Sequence, residues 1–95
     1  VTVKAAAAAG LRNYITGMVI QADALGAATE FAIRDGAAGT VLLRFRIPAT
    51  GIPTPTMVQF ITPLRGTAAT LLEIVTITAS VTGSVYCNLV GYVAP

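Results

Sequence analysis

Of 95 residues, none is histidine or tryptophan, one is cysteine, and only 11% carry a charge. Without histidine the chain cannot by itself build a Ser-His-Asp arrangement, a Cys-His pair or a metal site that uses imidazole. One cysteine cannot close an internal disulfide. The four acidic residues, Asp23, Glu30, Asp35 and Glu73, lie far apart and match no calcium-loop spacing. A fold can bring two distant carboxylates together as a glycosidase-type pair, but nothing else in the sequence suggests a sugar-cleaving cleft. The stretch GAAG, residues 36 to 39, lacks the following helix and the lysine of a phosphate-binding loop. The expectation is a protein that is not an enzyme, with no catalytic residue, no metal site and no cofactor.

The charges that exist are nearly balanced. Six basic and four acidic groups give a net charge of +2, too weak for the clustered basic stripe of a nucleic-acid binder. Nothing resembles a secretory signal, since Lys4 is followed by only five alanines and a glycine. Residues 71 to 95 carry a single charge, Glu73, and so invite a membrane reading. That reading fails because Thr76, Thr78, Ser80, Thr82, Gly83, Ser84 and Asn88 interrupt the run, which no Lys or Arg flanks. Neither nucleic acid nor membrane is expected as a partner.

What is abundant is apolar surface. Hydrophobic residues make up 55% of the chain and the mean hydropathy is +0.77, whereas ordinary domains carry about 25% charged residues. A chain of this length forms one domain, residues 1–95 with 1–10 as a possible N-terminal arm, and buries only about 60 to 70% of its unfolded surface. A lone monomer would expose apolar patches of the size that marks interaction surfaces. Self-association is the expected remedy.

Alternation along the chain points to strands. In TEFAIRDGAAGTVLLRFRI, residues 29 to 47, a loop of Ala37-Ala38-Gly39 sets Phe31 opposite Phe45 and Ile33 opposite Leu43 on one face. Glu30 then opposes Arg46 and Ala32 opposes Arg44 on the other; a slip of one residue would spoil both faces. Asp35-Gly36 is assigned to the turn. By the same argument Val81-Thr82-Gly83 closes a second hairpin, with Ser80 facing Ser84, Thr76 facing Asn88, Val75 facing Leu89, and Ile77 facing an inward, structural Cys87. Residues 12 to 22 read as a long strand with a bulge or bend at Gly17. The proline-rich PATGIPTP, residues 48 to 55, reads as an extended loop, TMVQFIT as a strand ended by Pro63, and PLRGTAAT as a connection holding Arg65. Residues 1 to 4 are a short strand or a tail. Ala5 to Ala9 is a helix-favouring run too short to nucleate, or a close subunit contact. Five main strands with one or two shorter ones predict an all-β protein, an antiparallel β-sandwich of jelly-roll type.

Six side chains are candidates for a subunit or partner interface: Tyr14, Arg44, Arg46, Arg65, Tyr86 and Tyr92. Tyrosine combines a flat apolar body with a polar tip and suits both protein and sugar surfaces. The simpler assignment packs the tyrosines against a second sheet or subunit and pairs the arginines with Glu30 or a neighbour's carboxylates.

Four stretches, AAGLRNYITGMVIQA, EFAIRDGAAGTVLLRFRIP, VQFITPLRGTAATLL and GSVYCNLVGYVA, together resemble a small β-sandwich module of the structural proteins of tailed bacteriophages. The order and spacing of RNYITG, IRDG, PLRGT and the terminal GY carry the resemblance, which spans about Ala5 to Ala94. Cys87 stands where an aliphatic residue is expected. The resemblance implies a jelly-roll subunit that forms homotrimers on the virion, with no catalytic residues. Its role would be capsid decoration or cement, bound to the major capsid protein or other virion subunits. The alternative is a receptor- or sugar-binding knob of a fibre or tail. Read as a whole chain, with no fibre shaft or heptad repeat, the sequence favours decoration.

Overall fold

The computed structural model describes residues 2–77 and 82–95. Seven strands form, β1 (Thr2–Lys4), β2 (Arg12–Ala22), β3 (Thr29–Asp35), β4 (Thr40–Ile47), β5 (Ile52–Arg65), β6 (Leu72–Thr76) and β7 (Val85–Ala94), with no helix among the described residues. No helix is therefore long and apolar enough to cross a membrane. The strands make two antiparallel sheets, one of four strands in the order β1-β6-β3-β4 and one of three in the order β5-β2-β7. The all-β sandwich expected from the alternating pattern is what forms.

The core lies between the two inner faces. Ile15, Met18, Ile20 and Ala22 of β2 meet Phe31 and Ile33 of β3, Ile47 of β4 and Leu72 of β6, all nearly or fully buried. Burying a side chain of this kind stabilises by about 1.5 to 3 kcal/mol relative to leaving it exposed. Phe31 and Phe45 stack with centroids 5.6 Å apart. Leu25, between β2 and β3, is also fully buried, and its N–H donates to Ala49 O (2.8 Å), tying that connection to the β4–β5 turn.

The topology is that of a rolled hairpin. Pairings β3 with β4, β2 with β5, and β1 with β6 nest one around another, and the roll brings β3 beside β6 and β2 beside β7. This nesting is the winding rule of a jelly roll, which distributes successive strands between two sheets.

The register of the β3–β4 hairpin agrees with the sequence reading from Glu30 to Ile33, Glu30 with Arg46, Phe31 with Phe45, Ala32 with Arg44 and Ile33 with Leu43, and then shifts by one, so that Asp35 rather than Gly36 faces Thr40. Its turn differs. The loop runs from Gly36 to Gly39, and the left-handed positions are Gly36 (φ 89°) and Ala38 (φ 55°), not the final glycine. Asp35 does not serve its own turn either; its carboxylate accepts from the N–H and hydroxyl of Thr67, linking the hairpin to the β5–β6 connection.

Among the described residues the second hairpin is not found. β6 pairs with β1 and β3 while β7 pairs with β2, so the chain crosses from one sheet to the other between them. Val75 lies beside Ala32 and Thr76 beside Phe31, while Cys87, Asn88 and Leu89 lie beside Ile20, Val19 and Met18. Ser80 and Val81 of that expectation fall outside the described residues. Residues 52 to 55 are strand rather than loop, because β5 is an edge of its sheet and its prolines need not donate to a ladder. Pro63 likewise does not end the strand, and Arg65 sits on β5 opposite Tyr14 rather than in a loop. The bulge expected at Gly17 is present as a register shift between Ile15 and Gly17 on both sides of β2. Residues 5 to 10 form a mostly exposed connection ending in a turn at Gly10 (φ 80°). Asn13, buried on β2, holds it by donating from Nδ2 to Ala5 O at 3.0 Å.

One carboxylate braces three elements. Glu73 on β6 pairs with Arg34 on β3 and accepts from the Ala38 N–H of the hairpin turn. The Ala38 N–H first, then Arg34, holds the carboxyl below its ordinary value of 4.5. A depressed pKa contributes stability that is present above the unfolded-state value and is lost as pH falls through the folded-state value. Glu73→Gln should therefore be less stable than the parent protein at pH 7, and the gap should narrow as pH falls below the ordinary carboxyl value of 4.5. Urea unfolding of both proteins across that range checks it; a gap independent of pH would show that the carboxylate charge contributes nothing.

Candidate functional site

The two outer faces of the sandwich differ in chemistry. On the four-stranded sheet, Glu30, Arg34, Arg44, Arg46 and Glu73 alternate with the inward residues of β3, β4 and β6. These charges are largely satisfied among themselves. Besides Arg34 and Glu73, Arg44 donates to both carboxylate oxygens of Glu30, at 2.8 and 3.2 Å. Such a face is suited to water.

The outer face of the three-stranded sheet is different. Register places Met57, Val19 and Asn88 in one row across β5, β2 and β7, Gln59, Gly17 and Val90 in the next, and Arg65, Tyr14 and Tyr92 beyond the bulge. Gln21 and Tyr86 pair at the far end, where Gln21 Nε2 donates to Pro53 O at 3.1 Å. Only Arg12 and Arg65, at one end, bring charge to this face. Met57 (52% exposed), Tyr86 (53%), Tyr92 (52%) and Val90 (44%) are large apolar side chains left in solvent. Ile61 stands fully exposed where β5 leaves the ladder between Gln59 and Leu64.

The bulge is what shapes this face. A side chain at position 17 would press against Val58 O, with its Cβ at 2.8 Å, so β2 puts no side chain between Gln59 and Val90 in that row. Beyond it, Tyr14 and Tyr92 stack with centroids 5.1 Å apart and planes 11° from parallel. The Tyr14 hydroxyl donates to Pro95 O (3.0 Å). Stacking covers one face of each ring and fixes the pair as a rigid ridge.

Of the six candidate residues, the structure brings Tyr14, Tyr92 and Arg65 together and puts Tyr86 on the same face, six residues or roughly 20 Å along β7. Arg44 and Arg46 belong to the opposite, charged face. Alternation along the last strand already put Val90 on the face of Tyr86 and Tyr92, as found; sequence reasoning missed Met57 and Val19, whose place beside them depends on the pairing of β2 with β5 and β7. Their signal was an uncharged alternation on both sides of each strand, but it did not say which set faces out.

A cleft of about 650 Å³ opens between the sheets, lined by Thr2, Val3, Phe31, Ile74, Val75, Thr76, Val85 and Cys87. No charged side chain lines it; its walls mix apolar side chains with Thr2, Thr76 and the thiol of Cys87. Cys87 is a free thiol, half-buried, and burial pushes its pKa up. That shift disfavours the thiolate, the nucleophilic form. Among the described residues no three His, Cys, Asp or Glu side chains gather as metal ligands would.

Compared with protein-family models, curated proteins and solved structures, the chain matches none.

Two measurements test this geometry. Alkylation of Cys87 by iodoacetamide at pH 8 should be about tenfold or more slower in the folded protein than in urea; equal rates would place the thiol in open solvent. A double-mutant cycle of Tyr14→Ala and Tyr92→Ala should yield a coupling of about 0.5 to 1.5 kcal/mol, and additive losses would mean the stack contributes nothing beyond its separate contacts.

Proposed function

We propose that the chain is a non-enzymatic structural subunit of a bacteriophage virion, a homotrimeric decoration or cement protein that bridges major capsid subunits. The observation that carries the reading is the outer face of β5, β2 and β7, charged only at the end that holds Arg12 and Arg65, with Met57, Tyr86, Val90 and Tyr92 in solvent. The resemblance of the four sequence stretches to phage structural modules supplies the setting.

The accessible surface supports a partner for that face. At 5210 Å² it is close to the roughly 5,100 Å² expected for a compact monomer of 9.7 kDa. Tighter folding does not hide the excess of apolar residues; it is on the outside. The mechanism is mechanical. A rigid sandwich that docks its apolar face adds buried area across joints between capsid subunits. Standard interfaces bury about 1,600 Å² in total, and several such contacts per trimer add through multivalency even when each is weak.

The receptor- or sugar-binding knob remains the competing reading, and the Tyr14–Tyr92 ridge with Arg65 beside it is the observation in its favour. The mutual stacking leaves less open ring surface for a sugar, which favours cement.

Light scattering on the purified protein should give a mass that is a multiple of the trimer, and the protein should co-sediment with capsids lacking it and restore their heat resistance. Met57→Glu, an exposed substitution, should abolish attachment while the circular dichroism spectrum stays unchanged. Attachment that survives this variant would remove the outer face from the docking surface; binding to cells but not to capsids would establish the knob.

A further inference from the structure

The four sheet edges are not alike. Exposed edges offer unpaired N–H and C=O groups to other chains, and proteins blunt them with brevity, charge, proline or bulges. β1 has three residues and ends in Lys4; β4 presents Arg44 and Arg46; β5 carries Pro53, Pro55 and Pro63, Arg65 and two register irregularities. β7 has none of these protections. Its ten residues, VYCNLVGYVA, hold no charge and no proline, and the bulge of the β2–β7 pair spares it, the extra residue being Thr16 of β2.

The winding singles out the same edge. Each nested pairing joins a strand to one further in or out of the roll, β3 to β4, β2 to β5, β1 to β6. The next turn would lay a strand against the outer edge of β7, and among the described residues no strand lies there. β7 is the open position of an otherwise regular roll.

Which backbone groups are offered follows from two hydrogen bonds. Ser84 O accepts from Asp23 N–H (2.9 Å) and Val90 O accepts from the Thr16 hydroxyl (3.2 Å), so the even-numbered residues of this segment turn their backbone toward β2. Alternation then turns the N–H and C=O of Val85, Cys87, Leu89, Gly91 and Val93 to the open edge. Leu89 is the outward-turned residue nearest the middle of the strand.

We infer that β7 pairs with β7 of a second copy of this chain, antiparallel about a two-fold axis through Leu89, joining two three-stranded sheets into one continuous sheet. The register is self-complementary. Leu89 meets its own copy, Cys87 meets Gly91 and Val85 meets Val93 as hydrogen-bonded pairs, each exchanging two backbone bonds. On the outer face Tyr86 meets Tyr92, continuing the aromatic ridge, and Asn88 meets Val90. No charge opposes another or is buried anywhere along the seam. A two-fold contact of this kind closes on itself and does not propagate into a fibre. It uses the edge, so it is independent of the virion reading and leaves the outer face free.

The test fixes the register by a covalent bond. In a Cys87→Ser background, Asn88→Cys combined with Val90→Cys places thiols opposite each other in the closely spaced, non-hydrogen-bonded pair of the proposed seam, with Cα atoms about 4.5 Å apart. Mild oxidation of the combined variant should give a covalent dimer on a non-reducing gel, and neither substitution alone should do so. A folded combined variant that stays monomeric on the gel overturns the pairing, as does equal cross-linking by the single variants. Should the variant fail to fold, hydrogen exchange on the unaltered protein decides. The amides of Cys87, Leu89 and Gly91 should be protected at high protein concentration and exchange freely on dilution, while protection independent of concentration overturns the pairing. Solution mass separates this inference from the trimer: a dimer supports the edge alone, a trimer overturns the edge pairing, and a hexamer supports both.

Discussion

Everything in this molecule depends on the contact between two inner sheet faces, where β2 meets β3 and β6. The alternation of a strand forces a decision at every second residue, and Ile15, Met18 and Ile20 on one side, with Phe31, Ile33 and Leu72 on the other, take the inside. With so few charged residues to distribute, the outside cannot be uniformly polar. The charges are concentrated on the four-stranded sheet, where Glu30, Arg34, Arg44 and Glu73 neutralise one another. The three-stranded sheet is left with tyrosine, valine and methionine. Asymmetry between the outer faces is thus a consequence of scarcity as well as of position.

The same scarcity explains what the sequence could and could not disclose. The β3–β4 hairpin was legible because its partners are joined by a short turn and its alternating set contains both phenylalanines and charges. Only one register satisfies Phe31 with Phe45 and Glu30 near the arginines. The stretch from Leu72 to Ala94 has alternation of the same quality but almost no charge. Pairing β6 with β7 satisfies its pattern as well as crossing between sheets does, and the choice rests on β1 and β3, distant in sequence, which claim β6 instead. Periodicity specifies which side of a strand faces in; it does not name the neighbour.

The prolines of β5 misled for a related reason. They exclude a central strand but tolerate an edge, and edge status is a property of the assembled sheet. Arg65 moved from loop to strand with them, and its place opposite Tyr14 could not be seen from either residue alone. At the candidate surface, the tyrosines were visible by their chemistry and Val90 by alternation with them, whereas Met57 and Val19 became part of it only through register. Gly36 and Ala38, not Gly39, take the left-handed conformation because the turn is braced from outside, by Leu71 O on the Gly36 N–H and by Glu73 on Ala38.

β5 leaves its ladder after Gln59 and rejoins it at Leu64, so that its two halves are each locked to β2 while the residues between are not. Phe60 turns in toward the core and Ile61 projects wholly into solvent. Such an excursion works as a slack joint. A change in its length need not slide either half of the strand against its partner, so this is where the chain can lengthen, shorten or acquire a new tip while the sandwich beneath keeps its form.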